Sequence, residues 1–140
     1  MTAAEPNAPW RVLVIDDNPL IRDSIVFAAQ RLNERLAPTA RKLQLFEAED
    51  GATGWDRIVD AKIDLVITDL YIPVMTGLQL IEKIRANPAT QNVKVLAISA
   101  SVSDGRSTSL GAGADSFLQK PMRLIDITSA VTELLKLELK

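Results

Sequence analysis

Five polar residues in this sequence are of the types that hold a metal cation and a phosphate together. They are two adjacent aspartates, a third aspartate, a serine and a lysine: Asp16, Asp17, Asp69, Ser99 and Lys120. Crowded carboxylates repel one another, and a nearby ammonium or divalent cation relieves that repulsion. Mg²⁺ commonly uses one or two carboxylates, keeps several waters and touches a phosphate. These residue types therefore point to a Mg²⁺ and phosphate site, provided that the fold brings them together.

Each of these residues also has an ordinary structural interpretation when it is considered alone. Asp17 could support the N-terminus of a helix, where negative charge is favoured. Asp69 could be a turn residue at a strand end, and Ser99 a small core residue. Lys120 could lie in an exposed turn, and Phe117 on its strand would by default be core. A functional interpretation would be favoured over the structural one if the polar groups converge at one place.

The composition excludes several other chemistries. The 140 residues contain no histidine and no cysteine, which rules out Ser–His triads, histidine-ligated zinc, thiolate chemistry and disulfides. A bound metal would be held by oxygen, which favours a hard cation. The net charge of −2 gives no basic footprint for nucleic acid. No apolar run approaches the ~20 residues of a membrane span. The absence of cysteine suits a reducing cytoplasm, and we expect a cytoplasmic location.

Short apolar runs and helically spaced stripes alternate along the chain. The runs predict strands over 11–15, 43–47, 64–68, 93–98 and 116–118. Asn18 before Pro19 predicts a helix start, and Asn87 before Pro88 predicts a helix end. The stripes are Ile21, Ile25, Ala28, Leu32 and Leu36; then Ala52, Trp55 and Ile58 or Val59; then Leu78, Ile81 and Ile84; and finally Leu124, Ile127, Val131 and Leu134.

The fourth crossover has a weak helical pattern. Residues 103–111 are rich in serine and glycine, which are poor helix formers, and Leu110 is the one large apolar residue among them. We expect this helix to be short or mobile. The strict alternation of strands and helices predicts an α/β fold, a doubly wound five-stranded parallel sheet in a single domain. Residues 1–9 are expected to be a disordered leader.

Ligands bind such sheets beyond the carboxyl ends of the strands. Asp16 and Asp17 follow the first strand, Asp69 the third, Ser99 the fourth and Lys120 the fifth. They should therefore meet at one edge of the sheet.

At this point the residues resemble the receiver (CheY-like) domain of two-component response regulators. The matching motifs are VLVIDDNP, LVITDLYIPVMTG, VLAISA and GADSFL followed by Lys120-Pro121, and the resemblance covers roughly residues 10–137. It implies a flavodoxin-like sheet with strand order 2-1-3-4-5, so that residues 10–140 would form the receiver domain. It also implies that Asp69 is the phosphoacceptor. Mg²⁺, for which Mn²⁺ could substitute, would be held by Asp16, Asp17, Asp69 and the main-chain carbonyl of Tyr71.

The resemblance implies further roles around the phosphoryl group. Ser99 would bond one phosphoryl oxygen and act as the switch hydroxyl, while Lys120 would pair with another. Phe117 would turn inward when Ser99 moves. The peptide bond between Lys120 and Pro121 would be cis.

Three neighbouring features would modulate this chemistry. Ala100 is small and would leave the phosphate reachable, and Ser101 lies next to it. Tyr71 is bulky where many receivers carry a smaller or polar residue, and we expect it to shield the acyl phosphate from water. By contrast, the connection over 36–41 looks longer than usual but should lie at the opposite end of the sheet from the site, so we expect it to have no effect on the chemistry.

The implied function is a phosphorylatable switch in a two-component phosphorelay, not an enzyme in the ordinary sense. It would catalyse only its own phosphoryl transfer and a slow self-dephosphorylation. The donor would be a sensor histidine kinase or a histidine phosphotransfer protein. The phosphorylated domain would in turn act on a downstream target that the sequence does not identify. Neither nucleic acid nor membrane binding is expected from this domain, and homodimer formation is open, as is whether the chain is a stand-alone protein.

Three other classes of protein are weighed against this reading. A phosphorylation-independent adaptor with the same fold would usually lack the acceptor or the acidic pair. A phosphatase with an aspartyl intermediate would carry DxDx[TV] after its first strand, whereas this chain has adjacent Asp16 and Asp17. A nucleotide- or flavin-binding domain would need a glycine-rich turn after the first strand, which is absent here.

Overall fold

Five strands and five helices alternate along the chain in this computed structural model, which describes residues 8–100 and 105–140. The strands are β1 (Trp10–Ile15), β2 (Leu43–Ala48), β3 (Leu65–Asp69), β4 (Lys94–Ser99) and β5 (Ser116–Gln119). The helices are α1 (Pro19–Arg35), α2 (Gly51–Asp60), α3 (Gly77–Ala86), α4 (Gly105–Ala112) and α5 (Leu124–Leu135). The predicted α/β alternation is confirmed. The leader expected over 1–9 stays a prediction, because residues 1–7 lie outside the described ranges.

The strands form one parallel sheet in the order β2-β1-β3-β4-β5, as the resemblance implied. The register pairs Ile15 of β1 with Thr68 of β3, Asp69 of β3 with Ile98 of β4, and Ser99 of β4 with Gln119. The last residues of these four strands therefore lie side by side. Each strand exit opens onto the same edge, which is called the carboxyl edge below.

Two apolar layers cover the sheet, one on each face. On one face α1 and α5 pack on alternate strand residues such as Val12, Val14 and Ile67. On the other face α2 and α3 pack on the intervening residues, such as Leu13 and Val66. Both faces being buried accounts for strands that are nearly continuously apolar. The carboxyl edge is therefore one end of a sheet that is packed on both faces.

Capping residues fix where the helices begin. Asn18 accepts hydrogen bonds from the amides of Leu20 and Ile21, as its position before Pro19 predicts. Asp50 accepts from the amide of Thr53 at the start of α2. The caps satisfy amides that have no partner within the helix. The chain therefore turns from β1 into α1 and from β2 into α2 within a few residues.

Two members of the predicted apolar stripes are exposed in the structure. Ile58 is the buried residue of α2, whereas Val59 is 47% exposed. Leu124 was expected to face the core, which is wrong, because it is 50% exposed. It is the first residue of α5, and its side chain lines a groove beside Ile21 instead of packing under the sheet.

The fourth helix is eight residues long, the shortest of the five that the described ranges contain. Its buried residues are Gly105 and Ser109, whereas Leu110 is 39% exposed. The helix therefore packs through small residues, which explains why its apolar pattern is faint. The predicted start at residue 103 lies outside the described residues.

The far end of the sheet, opposite the carboxyl edge, holds both described ends of the chain. The amide of Ala37 donates to the Glu138 carbonyl and that of Lys140 to the Arg35 carbonyl, each at 2.9 Å. Leu36 and Leu139 form an antiparallel bridge between these bonds. The connection after α1, predicted to lie away from the site, is thus tied to the C-terminal residues.

Gly77 allows the close approach of α3 to the end of β3. A methyl group there would lie 2.5 Å from the carbonyl oxygen of Asp69 and 2.6 Å from the Cα of Leu70. These are backbone atoms, which cannot move aside cheaply. We expect Gly77→Ala to lower the free energy of unfolding by about 3 kcal/mol, as overpacking does, measured by urea denaturation.

Gly111 provides the matched control for that experiment. It lies within α4, and a methyl group there would meet no atom within 4 Å. Gly111→Ala should raise the free energy of unfolding by about 0.5 kcal/mol, because alanine is the better helix former. Equal effects of the two substitutions would contradict the packing explanation.

Candidate functional site

Three carboxylates converge at the carboxyl edge. Asp16 follows β1 directly and is 1% exposed, and Asp69 ends β3 and is 7% exposed, while Asp17 is exposed. One carboxylate oxygen from each lies within 4.8 Å of the other two. Three oxygens at this spacing are a donor set suited to a hard divalent cation such as Mg²⁺. The donor chemistry therefore fits the metal that the resemblance implies.

Lys120 joins two of these carboxylates from the end of β5. Its Nζ atom lies 2.5 Å from Oδ2 of Asp69 and 3.1 Å from Oδ2 of Asp16. The lysine side chain is 16% exposed, so both ion pairs are largely shielded from water. One ammonium thus offsets part of the charge of the cluster.

Burial and pairing act in opposite directions on the pKa values here. Burial raises the pKa of Asp16 above its usual range, although the hydrogen bonds from the Asn18 amide and Lys120 oppose this. Burial alone would lower the pKa of Lys120, but its hydrogen bonds to Asp69 and Asp16 outweigh burial and raise that pKa. The ammonium of Lys120 is therefore held charged beside the acidic groups.

Main-chain amides hold the other oxygens of the two buried carboxylates. The amide of Tyr71 donates to Oδ1 of Asp69, and the amide of Asn18 donates to Oδ1 of Asp16, both at 2.9 Å. Each carboxylate is thus oriented by an amide on one oxygen and by Lys120 on the other. The side chain of Tyr71 points outward and is 67% exposed.

Ser99 and Phe117 lie close together beneath the start of α4. Ser99 is fully buried, and Phe117 is 5% exposed, so its ring is already inward in this structure. A methyl group at Gly105 would lie 3.0 Å from two atoms of that ring and 3.3 Å from Cβ of Ser99. Ala100 is exposed, whereas Ser101 lies outside the described residues.

The main chain next to the lysine is tied to the neighbouring strand. The amide of Lys120 donates to the carbonyl of Ser99 at 2.9 Å. The peptide bond between Lys120 and Pro121 is cis.

An apolar groove of about 430 Å³ adjoins the site between α1 and the start of α5. Lys120 and Ala100 line its end at the carboxyl edge, while Ile21, Met122 and Leu124 line its walls. The groove therefore adjoins the acidic cluster through Lys120, which is paired with Asp16 and Asp69.

Two residues near the acidic cluster were not singled out from the sequence. Arg22 donates from Nη1 to the main-chain oxygen of Asp16 at 2.8 Å. Its position was a signal, because a cation in the first turn opposes the helix dipole and needs another partner. Gly105, against Phe117 and Ser99, gave no such signal, because it belongs to a stretch already rich in glycine and serine.

The fold is that of CheY-like receiver domains. The structure of the chemotaxis response regulator CheY4 of Vibrio cholerae matches with a TM-score of 0.78 at 21% identity, covering 91% of this chain and 99% of that one. The signal receiver domain of NarL from Mycobacterium tuberculosis matches with a TM-score of 0.77 at 30% identity, covering 92% and 98%. The chain belongs to the response regulator receiver domain family, whose model matches residues 12–132.

Curated relatives agree with this membership. Response regulator MprA of Mycobacterium sp. strain KMS is 31% identical over 128 residues, which are 91% of this chain and 51% of MprA. Transcriptional regulatory protein PrrA of Mycobacterium leprae is 33% identical over 126 residues, which are 90% of this chain and 50% of PrrA. The chain therefore spans about half the length of these relatives.

Family membership defines the broad role. The chain is a receiver domain of response regulators, a signalling protein of the two-component class, in which receiver domains interact with histidine kinases. Receiver domains bind Mg²⁺ at an acidic cluster of the kind that Asp16, Asp17 and Asp69 form. Within residues 8–100 and 105–140, no helix has the length and apolar character needed to cross a bilayer.

Proposed function

We propose that this receiver accepts a phosphoryl group on Asp69 from a phosphohistidine of a partner protein. The observation that carries the proposal is the position of the Asp69 carboxylate, which lies 2.5 Å from Lys120 and within one acidic cluster. A carboxylate is a workable nucleophile toward phosphorus when positive groups offset the charge. The donor is a sensor histidine kinase or a histidine phosphotransfer protein, and the proposal includes a cytoplasmic location.

The transfer step exchanges one bond to phosphorus for another. A carboxylate oxygen of Asp69 attacks phosphorus, and the bond between phosphorus and the donor imidazole nitrogen breaks. The electron pair of that bond stays on the imidazole nitrogen, which then takes up a proton from solvent. Lys120 stabilises the charge on the equatorial oxygens of the phosphoryl group. Later attack by water releases phosphate and restores the carboxylate, which is the slow self-dephosphorylation.

Mg²⁺ or Mn²⁺ would be held by Asp16, Asp17, Asp69 and the main-chain carbonyl of Tyr71. When bound, the ion neutralises negative charge on the carboxylates and the phosphoryl oxygens. The two amides that orient Asp16 and Asp69 keep their carboxylates in place before the ion arrives.

Ser99 and Phe117 form the switch in this proposal. The acyl phosphate carries about two negative charges and several acceptor oxygens, one of which bonds to the hydroxyl of Ser99. Movement of Ser99 changes the packing of Phe117 through the start of α4, since Gly105 packs against both. The shifted face then controls a partner or an output module.

Intact mass after incubation with acetyl phosphate and Mg²⁺ tests the proposal. We expect a gain of one phosphoryl group, lost when the metal is removed with a chelator. A parallel incubation with a phosphorylated histidine phosphotransfer protein should give the same gain. A folded protein that gains nothing from either donor would overturn the proposal and favour a phosphorylation-independent adaptor.

Tyr71 should lengthen the life of the acyl phosphate. Its exposed side chain follows the acceptor by two residues, next to the amide that holds Asp69. We expect Tyr71→Ala to speed phosphate loss about fivefold, the effect of ~1 kcal/mol on a barrier. The rate of phosphate release from isolated phosphoprotein measures this. Tyr71→Phe keeps the ring and should keep the lifetime, whereas an unchanged lifetime in Tyr71→Ala would reject the shielding hypothesis.

We propose that an apolar face of a helix of the phosphodonor docks in the apolar groove beside Lys120. A donor that brings its phosphohistidine to Asp69 must cover the adjoining surface, and the groove is continuous with that surface. We expect Leu124→Asp to slow transfer from the phosphodonor protein about tenfold, or ~1.4 kcal/mol. Transfer from acetyl phosphate should be unchanged.

The neighbouring residue supplies the control for this prediction. Ile125 is 52% exposed, as Leu124 is 50% exposed, but it lines a different cleft with Arg35 and Leu139. Ile125→Asp should therefore leave both transfer rates unchanged. Equal slowing by the two substitutions would exclude the groove as the docking site.

A further inference from the structure

Arg22 occupies a place where a positive charge is unfavourable. It lies in the first turn of α1, whose N-terminus carries a partial positive charge from the aligned peptide dipoles. Its side chain is nevertheless only 17% exposed. A cation that is both partly buried and opposed to the helix dipole needs compensating partners.

The partners of Arg22 are the acidic segment and a neighbouring strand. Nη1 donates to the main-chain oxygen of Asp16 at 2.8 Å, and Nε lies 3.1 Å from Oε1 of Glu47 on β2. The planar guanidinium can make both bonds at once in a fixed geometry. The oxygen that it holds belongs to the peptide bond between Asp16 and Asp17, so the bond restrains the orientation of that peptide.

Two other bonds restrain the same segment. The amide of Asp16 donates to the Ala48 carbonyl at 3.2 Å, and the amide of Asn18 donates to Oδ1 of Asp16 at 2.9 Å. The first of these bonds restrains the amide of Asp16 from the sheet, and the second restrains its side chain. Arg22 adds a restraint on the carbonyl side, from which the exposed Asp17 continues.

We infer that Arg22 is a positioning residue for the acidic pair, fixing the Asp16–Asp17 peptide so that both carboxylates face the cation. Glu47 orients the guanidinium and offsets its charge. Arg22 does not itself touch the metal or the phosphoryl group. The inference rests on the proposed function, because it gives the peptide restraint a role in Mg²⁺ binding.

Removing Arg22 produces two effects of opposite sign on Mg²⁺ affinity. Loss of a positive charge near the acidic cluster strengthens cation binding, whereas loss of the peptide restraint weakens it. Groups that orient metal ligands typically change metal affinity by 10–100-fold when they are removed. We expect positioning to dominate, so that Arg22→Met binds Mg²⁺ about tenfold more weakly. A purely electrostatic role requires tighter binding.

Arg57 provides the matched control. It lies on α2 and lines the same cleft as Arg22 and Glu47. Arg57→Met removes a positive charge from this cleft without removing the bond to Asp16. It should leave Mg²⁺ affinity unchanged or slightly raised. Arg22→Lys keeps the charge but not the forked geometry, and it should bind Mg²⁺ more weakly than the unmodified protein.

Isothermal titration of Mg²⁺ into the unmodified protein and the three variants tests the inference, with urea denaturation verifying that each is folded. Amide exchange at Asn18, measured without metal, should be faster in Arg22→Met than in Arg57→Met. Mg²⁺ binding by Arg22→Met that equals or exceeds that of the unmodified protein would overturn the inference and leave the proposed function standing. An unmodified protein that binds no Mg²⁺ would overturn both the inference about Arg22 and the proposed function.

Discussion

Asp69→Asn should abolish phosphorylation by either acetyl phosphate or a phosphohistidine protein. The substitution keeps the size of the side chain but removes the nucleophilic carboxylate. It should not unfold the protein, because Lys120 keeps its ion pair with Asp16 at 3.1 Å and the crowded cluster loses one negative charge. Intact mass after incubation with Mg²⁺ and each donor measures the effect.

Glu49→Gln is the control for this experiment. Glu49 is an exposed acid just beyond the end of β2, outside the cluster of Asp16, Asp17 and Asp69. Its amide variant should be phosphorylated at the rate of the unmodified protein. Phosphorylation that survives in Asp69→Asn would assign the acceptor to another carboxylate, and peptide mapping would identify it.

Lys120→Met should weaken both the fold and the transfer step. Without the ammonium, the buried carboxylates of Asp16 and Asp69 face each other with no cation between them. Breaking a buried ion pair by removing one partner costs 3–5 kcal/mol, and since Lys120 keeps some exposure we expect a loss of about 3 kcal/mol in the free energy of unfolding. Urea denaturation without metal measures the loss.

Mg²⁺ separates charge compensation from packing as the cause of that loss. If the loss reflects uncompensated charge, saturating Mg²⁺ should recover part of it, because the ion binds the folded cluster. Lys94→Met, at the exposed first residue of β4, should change the free energy of unfolding by less than about 0.5 kcal/mol. A loss in Lys120→Met that Mg²⁺ does not reduce would indicate lost packing instead.

The fold and the convergence of the acidic residues could be predicted because both depend on local patterns. Apolar runs mark the strands, and in a parallel sheet every strand exit lies at the same edge. The predicted strand ends were one residue short at Asp69 and Ser99. Polar side chains look like turn residues in a sequence, whereas the main-chain ladder of the sheet continues through them.

Other features depend on contacts between distant parts of the chain and left little trace in the sequence. The guanidinium of Arg22 reaches Glu47 across 25 positions, and the strand-like pairing of Leu36 with Leu139 spans most of the chain. The outward position of Leu124 depends on where α5 begins relative to α1. Periodicity gives the spacing of apolar residues along a helix, but it does not show which of them will be covered by another element.

The tie at the far end of the sheet has a consequence for protein engineering. Arg41 donates from Nε to the carbonyl of Ala8 at 2.6 Å, and Ala37 donates to the carbonyl of Glu138 at 2.9 Å. Both described chain ends are therefore attached to the connection between α1 and β2, at the end of the sheet away from the carboxyl edge. Ends that lie close together tolerate circular permutation and the insertion of a whole domain. A linker between residues 8 and 140, or a reporter fused at either of these positions, should therefore leave the acidic edge uncovered.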